Sequence, residues 1–502
     1  MSRRDALVLA GVVVVVAALW ARGLGTWYWI DEGLSVGIAS HPLGALRRVL
    51  AQDTGAPLYH LVLHGWMRLF GASEVATHSL SLLFAVAVVP AGLWAGWSLF
   101  DRRTGWTCAA LAAISPFLAI YAVETRMYSL VTLLALLTTA TFLHAFGRGR
   151  RRLLPAFSIL LALTAYTHYW GLFLAVGTAA ALPLCWAHTG DRRRLVTDAL
   201  VAYGAAALLF APWVPTLLYQ RAHSAVAWAQ PPTLQRARDD VVGLFGGPAE
   251  VVALAVGGGA ALLFVLRRPW TRSSVLVGCA LVIAAVALGL GLMTARASGQ
   301  WHARYLGVVL APLLLIVGMA LARGGDLAVA MVAVVAILAG PLNTKQSLDA
   351  KSTARRLAEA AGPLLAPQDV VFAPMGEVPL LAHYLPPGVR YATTTGVVKD
   401  PRAADWRDAL ARLRRADPVA AVDRLVHRLP AGGHVLATCP LVEDRELPGL
   451  APFLELEIRR CQEVQRHLVG RPDLRPETSL PDLPGGTPPR RADLLTKRSA
   501  PS

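Results

Sequence analysis

Apolar runs long enough to cross a bilayer recur from Ala6 to about Pro341 in this 502-residue chain. A helix needs about 20 residues to span the ~30 Å hydrocarbon layer. The pattern predicts eleven spans, at roughly 6–24, 78–100, 106–121, 127–146, 153–168, 170–187, 196–216, 243–266, 273–293, 303–321 and 327–343. Hydrophobic residues make up 55% and charged residues 16%, against ~25% charged in soluble domains. That balance excludes a purely soluble enzyme, a disordered chain and a disulfide scaffold. The fold class is a polytopic α-helical membrane protein.

The net charge of +16 is carried almost wholly by arginine, since the only lysines are Lys345, Lys351, Lys399 and Lys497. The arginines cluster at Arg3 and Arg4, Arg102 and Arg103, Arg148 to Arg152, Arg192 to Arg194, Arg267 to Arg272, and Arg323. With eleven spans these clusters all fall on one side, which the positive-inside rule makes cytoplasmic. The N-terminus is then inside, the first helix is retained, and the C-terminal part is outside. Nucleic-acid binding is not implied.

From about Asn343 the spanning runs stop and prolines accumulate. Helices are expected over 347–366, 376–385, 403–415 and 419–429, and strands at 369–374, from Arg390, and at 434–438. Alternating helix and strand predicts a small extracytoplasmic α/β domain, bounded at 344–470 after a membrane domain of 1–343. The Pro-, Arg- and Gly-rich residues 471–502 read as a disordered tail. Cys439 and Cys461 are either a disulfide of an oxidising compartment or two separate thiols.

Acidic residues are scarce before position 343, so each one is informative. Asp31 and Glu32 follow Trp27, Tyr28 and Trp29 at the outer end of the first span. A carboxylate pair there is costly unless it faces water or a partner, and it is the candidate general base. Arg126 and Arg304 sit at outer span ends against the charge trend and suit phosphate oxygens. Further candidate substrate contacts on the outer side are Asp53, Tyr59, His60, Glu124, Tyr128, His168, His302 and Tyr305. A divalent metal on His60, His64, His168, His302 and Asp53 is the lesser reading, because no metal-ligand spacing supports it. No nucleotide-binding loop or nucleophile elbow is present.

These pieces resemble the GT-C glycosyltransferases, closest to glycosyltransferase family 39, whose relatives include protein O-mannosyltransferases and aminoarabinose transferases. The likeness is carried by Trp29-Ile-Asp-Glu32, by Asp53 through Phe70, by Glu124-Thr-Arg-Met-Tyr-Ser-Leu130, by Thr167 through Leu172 and by Ala303-Arg-Tyr-Leu306 with Pro312. It implies a GT-C fold and transfer, with inversion, of a sugar such as mannose. The donor would be a polyprenyl-phosphate sugar, and the acceptor a protein, glycan or glycolipid outside the cytoplasm of a bacterium. Asp31 matches the family's catalytic carboxylate, the base that takes the acceptor's proton, and Glu32 its neighbour. Arg304 matches a donor-phosphate position, Arg126 is a second contact, and no metal cofactor is required. The aminoarabinose transferases carry a lysine before a Pro-Pro pair where this chain reads Thr54-Gly-Ala-Pro57. The competing class is a transporter or flippase of lipid-linked glycans, which would show inverted repeats; none is visible.

Overall fold

The computed structural model describes residues 1–224, 230–268, 271–340, 351–442, 447–480 and 490–499. The chain begins with α1 (Arg3–Trp20). The loop expected on the outer side then folds into α2 (Ile30–Ala39), α3 (Leu43–Leu50) and α4 (Pro57–Phe70). The bundle continues as α5 (Glu74–Leu99), α6 (Arg102–Ala113), α7 (Pro116–Tyr121), α8 (Tyr128–Phe142), α9 (Leu154–Thr167), α10 (Trp170–His188), α11 (Arg192–Phe210) and α12 (Val214–His223). It closes with α13 (Leu234–Gly243), α14 (Pro248–Leu266), α15 (Arg272–Ser298), α16 (Gly307–Leu321) and α17 (Gly325–Leu338).

Eight segments among the described residues are long and apolar enough to cross a membrane, including α1, α5, α10, α14 and α15. The other three expected spans are helical but shorter. Pro116 splits one into α6 and α7, α9 has 14 residues, and α17 has 14, with the expected end at 343 outside the described residues. Large apolar side chains face outward, such as Leu7, Leu200, Leu208, Val329 and Ile337. Lipid is the environment that removes this cost, so the chain is a multi-pass membrane protein.

The arginine clusters share one end of the bundle. Asp5 takes Arg102 through two nitrogens at 2.5 and 3.1 Å, and Asp198 takes Arg151 at 2.6 and 2.7 Å. Arg148 donates to the Leu99 carbonyl. Asp31, Arg126 and Arg304 meet one another at a different set of helix ends.

The outer domain runs α18 (Ala354–Ala361), β1 (Val370–Phe372), α19 (Val378–Tyr384), β2 (Arg390–Thr393), β3 (Gly396–Val397), α20 (Ala409–Arg415), α21 (Pro418–His427), β4 (His434–Pro440), α22 (Pro452–Val469), β5 (Leu474–Leu480) and β6 (Arg490–Lys497). The sheet order is β3-β2-β1-β4-β6-β5, with β2, β1 and β4 parallel and the outer pairings antiparallel. The small α/β domain is therefore present.

Two features differ from the sequence expectation. The segment expected as a disordered tail supplies β5 and β6. Leu494 and Leu495 of β6 are fully buried and pair with Leu436 and Val435 of β4. The Pro and Gly residues around them mask this buried run, and the sheet extends past position 470 to Lys497. Helix α22 had no counterpart, although Ile458, Cys461, Val464 and Leu468 recur at three- and four-residue spacing and are buried. It carries Cys461, which is disulfide-bonded to Cys439 at the end of β4. The expected boundary at 343/344 lies outside the described residues.

The outer domain rests directly on the first outer loop. A Cβ at Gly33 would stand 2.7 Å from the Leu380 backbone, and one at Gly37 only 2.1 Å from the Arg402 carbonyl oxygen. His41 Nε2 meets Asp400 at 2.7 Å, Trp406 N donates to the Gln52 carbonyl at 2.8 Å, and Tyr384 OH joins Tyr28 N to Glu74. These contacts fix α2 beneath the sheet.

Candidate active site between bundle and outer domain

Helix α2 starts where the first span ends. Glu32 at its third position reaches back to the Trp29 N–H at 3.3 Å, one half of a capping box. This sets the adjacent Asp31 in the first turn, where the helix dipole favours a carboxylate. The turn between α7 and α8 brings Arg126, and the 3₁₀ turn Ala303–Leu306 ahead of α16 brings Arg304.

Three charged groups converge there. Arg304 Nη1 lies 2.7 Å from Asp31 Oδ2, an ion pair that is not aligned as a hydrogen bond. Arg126 Nη2 lies 4.0 Å from the same oxygen, while its Nη1 donates to the Asp31 carbonyl at 3.2 Å and Ser35 Oγ at 3.0 Å. Arg304 stacks within 5.4–5.8 Å of the Trp29, Tyr128 and Tyr305 rings. Both guanidinium Nε atoms are buried with no hydrogen-bond partner. Two arginines against one close carboxylate leave positive charge and donors for an anion.

The ion cluster faces a cavity of about 600 Å³. From the bundle the cavity is lined by Asp31, Asp53, His60, Arg126, Tyr128, His168, His302, Arg304 and Tyr305, together with Trp29, Tyr169 and Trp170. From the outer domain it is lined by Pro374, Gly376, Trp406, Phe453, Leu454, Glu457 and Ile458. Trp29, Tyr169 and Trp170 stand inside motifs visible in the sequence. The outer-domain residues carry no sequence signal toward the site.

The electrostatics follow from burial and from the arginines. Burial raises the Asp31 carboxyl, but Arg304, then Arg126 and His302, outweigh it and hold it below the usual range. Burial raises Asp53, against the Thr54 N–H and Arg126. His60 is pushed down to about 4 by burial and Arg126, His168 to about 3 by burial, Arg126 and Arg304, and His302 to about 4 by burial and Arg304. All three are neutral at pH 7. Burial lifts Glu457 to about 7, although it accepts from Met375 N at 3.0 Å and Thr394 Oγ1 at 3.4 Å.

Three expected site residues do not line the cavity. Tyr59 points into the bundle, where its hydroxyl meets Ser81 Oγ at 2.9 Å. Glu32, adjacent to Asp31, faces the opposite way and is wholly buried. It takes His78 Nε2 at 2.6 Å, Thr125 N at 2.7 Å and Lys351 Nζ at 3.3 Å, so its lone pairs are committed to structure. Glu124 is buried beside Glu32 and Lys351, and burial first, then Glu32, raises its carboxyl above the usual range. His64 also lies apart, with Nδ1 2.8 Å from the Ala39 carbonyl oxygen. Among the described residues no three His, Cys, Asp or Glu side chains gather as a metal site.

Fold and site together define a polytopic membrane protein with an arginine–carboxylate cavity roofed by an α/β domain. Over 98% of its length the chain matches ArnT from Cupriavidus metallidurans, covering 98% of that chain, with TM-score 0.63 and 14% identity. The same values hold for the apo form and for the form bound to undecaprenyl phosphate. The archaeal oligosaccharyltransferase AglB from Archaeoglobus fulgidus, solved with an inhibitory peptide and a dolichol-phosphate, matches 87% of this chain and 70% of its own. Its TM-score is 0.52 and its identity 12%. The chain shares the fold of both. No protein-family model matches the sequence. No curated protein matches it either.

Proposed function

We propose that the protein is a membrane glycosyltransferase that moves a sugar, mannose or a similar hexose or pentose, from a polyprenyl-phosphate donor to an acceptor hydroxyl or amine outside the cytoplasm. The observation that carries this reading is the Asp31–Arg304–Arg126 cluster on the wall of the cavity between bundle and outer domain. The acceptor O–H or N–H attacks the anomeric carbon from the side opposite the phosphate, the C–O bond to phosphate breaks, and configuration inverts. Asp31 takes the acceptor's proton. Polyprenyl phosphate leaves with its electron pair, and the charge growing on its oxygens falls on the guanidiniums of Arg304 and Arg126. No step requires a metal, because two cations are already built into the site.

The Asp31–Arg304 pair gives the donor a second role. Donor phosphate competes for Arg304, so binding weakens the ion pair and makes Asp31 a stronger base. The aromatic rings of Trp29, Tyr128 and Tyr305 and the neutral His60, His168 and His302 supply faces and hydrogen bonds for the sugar. Asp53, whose carboxyl is raised by burial, stands on the same wall within reach of the sugar. Glu32 acts by position only. The arginine-rich end of the bundle lies in the cytoplasm of a bacterium and the cavity opens on the other side, where nucleotide sugars are absent and lipid donors are available.

The test is transfer by the purified protein in detergent. Radiolabelled polyprenyl-phosphate mannose is offered with a membrane extract as acceptor, to wild type and to Asp31→Asn. Wild type transfers, and D31N falls by about 10²–10⁴-fold, the usual worth of a general base. Undecaprenyl phosphate still binds to D31N. Equal transfer by both would remove Asp31 from its role, and lipid movement without transfer would favour a flippase.

A further inference from the structure

We propose that Lys351, at the start of the outer domain's described residues, is a positioning residue of the catalytic centre. Its ammonium neutralises Glu32, and Glu32 clamps the turn carrying Arg126 to the helix carrying Asp31. The inference rests on the glycosyltransferase reading for its kinetic part and on geometry alone for its structural part.

Lys351 is one of four lysines in the chain. Its side chain is buried, with Nζ 3.3 Å from Glu32 Oε2 and donating to the Val123 carbonyl at 2.8 Å. Glu32 divides its two oxygens between the two halves of the site. Oε2 takes the Trp29 N–H at the start of α2, two residues before Asp31, while Oε1 takes the Thr125 N–H, one residue before Arg126. His78 of α5 closes on Oε1. The turn itself is tight, with Arg126 N bonded to the Glu124 carbonyl at 2.7 Å. One carboxylate therefore sets the separation of the proposed base and a phosphate-binding arginine, and an outer-domain cation stabilises it.

The groups facing Glu32 are His78 on α5, Tyr59 on α4, Tyr28 and Asp31 at the start of α2, Glu124 on the turn, and Lys351. Lys351 is the fixed cation among them. Glu124 is a second buried acid with one oxygen lacking a hydrogen bond, so the pocket holds more carboxylate than cation. Removing Lys351 leaves the Glu32 charge uncompensated. The charge is then relieved either by protonation as pH falls or by turning of the carboxylate toward water, which lets go of the Thr125 N–H.

The experiment compares full-length wild type with K351M, K351R and E32Q/K351M in detergent. Three quantities are read: mannose transfer across pH, undecaprenyl phosphate affinity, and amide deuterium exchange over residues 119–130. The expected result for K351M is a turnover about 10- to 100-fold lower, the scale of a 1 Å misplacement. Its activity also recovers toward acid pH, because its Glu32 protonates in a range where wild type stays ionised, and exchange across the turn is faster. E32Q/K351M abolishes the acid recovery and regains part of the lost turnover, and K351R resembles wild type.

A K351M protein with a lower unfolding temperature but unchanged turnover, pH profile and exchange would overturn the proposal. So would a double variant no better than K351M. If K351M does not fold, K351R and the double variant decide the same point. If wild type neither binds undecaprenyl phosphate nor transfers mannose, the glycosyltransferase reading falls. The exchange measurement, which needs no substrate, still tests the clamp.

Discussion

Replacing Gly37 by alanine tests whether the outer domain positions α2, the helix that carries the proposed base Asp31. Gly37 lies on α2 six residues after Asp31, about 9 Å along the axis at ~1.5 Å per residue. An added Cβ would stand 2.1 Å from the Arg402 carbonyl oxygen and 3.0 Å from its carbon. Backbone cannot yield as a side-chain tip does, and the Arg402 segment is held by the His41–Asp400 contact and by Trp406 N on Gln52. Relief therefore needs a relative shift of roughly 1 Å between α2 and the outer domain, an overpacking that costs ~1–3 kcal/mol. The helix-propensity gain of Gly→Ala offsets ~1 kcal/mol, so the net loss is ~0–2 kcal/mol. Turnover is more sensitive, because a displacement of about 1 Å remote from the chemistry costs on the order of 10²-fold. Gly65 on α4 has open space around its Cβ direction, so G65A is the control. Thermal unfolding and transfer are measured on both. G37A matching G65A in stability and turnover would refute the claim that this contact fixes α2.

Other outcomes follow from the same geometry. R304A weakens undecaprenyl phosphate binding by roughly 10- to 100-fold, the worth of a charged hydrogen bond, and R304K recovers part, since it keeps the charge but not the fork; equal affinity in titrations of all three would contradict the assignment. The Asp31 carboxyl is held below the usual range, so the ionised form that the proposed mechanism needs persists above the free enzyme's lowered value and is lost as pH falls through it. Donor binding draws Arg304 away, so the acid limb of kcat lies at higher pH than that of kcat/KM, and coincident limbs in initial-rate profiles would deny the exchange of partners. The C439S/C461S variant loses about 3 kcal/mol in outer-domain stability, from the loop closed between residues 22 apart; calorimetry showing no change would mean the bond is idle.

The bundle was legible because its apolar runs answer to the bilayer thickness, a constraint that acts on each segment alone. The gathering of these arginines was legible because Arg102, Arg148 and Arg151 sit between runs, and they pair at one end of the bundle. Asp31, Arg126 and Arg304 stood out because charge at an outer span end is rare. Which of two adjacent acids faces the cavity was not legible. Neighbours on a helix point about 100° apart, and only the packing of α5 and Lys351 around Glu32 decides it. The same holds for Tyr59 beside His60. The roof was hidden for a different reason: Trp406 and Glu457 reach the cavity only through a sheet whose order crosses the sequence. The tail was misread because composition averages over Leu494 and Leu495, whose burial depends on pairing with β4.

The cavity's walls come from two parts of the chain with unequal freedom to change. On the bundle side Asp31, Arg126 and Arg304 constrain one another, so a substitution at one alters the surroundings of the other two. On the roof, Trp406 and Phe453 pack on each other at 5.9 Å between ring centres, and neither belongs to that ion cluster. A lineage or an engineer can therefore recut the roof, altering what the chamber admits, while the ionic floor stays as it is. Selectivity in this molecule can drift without dismantling its chemistry.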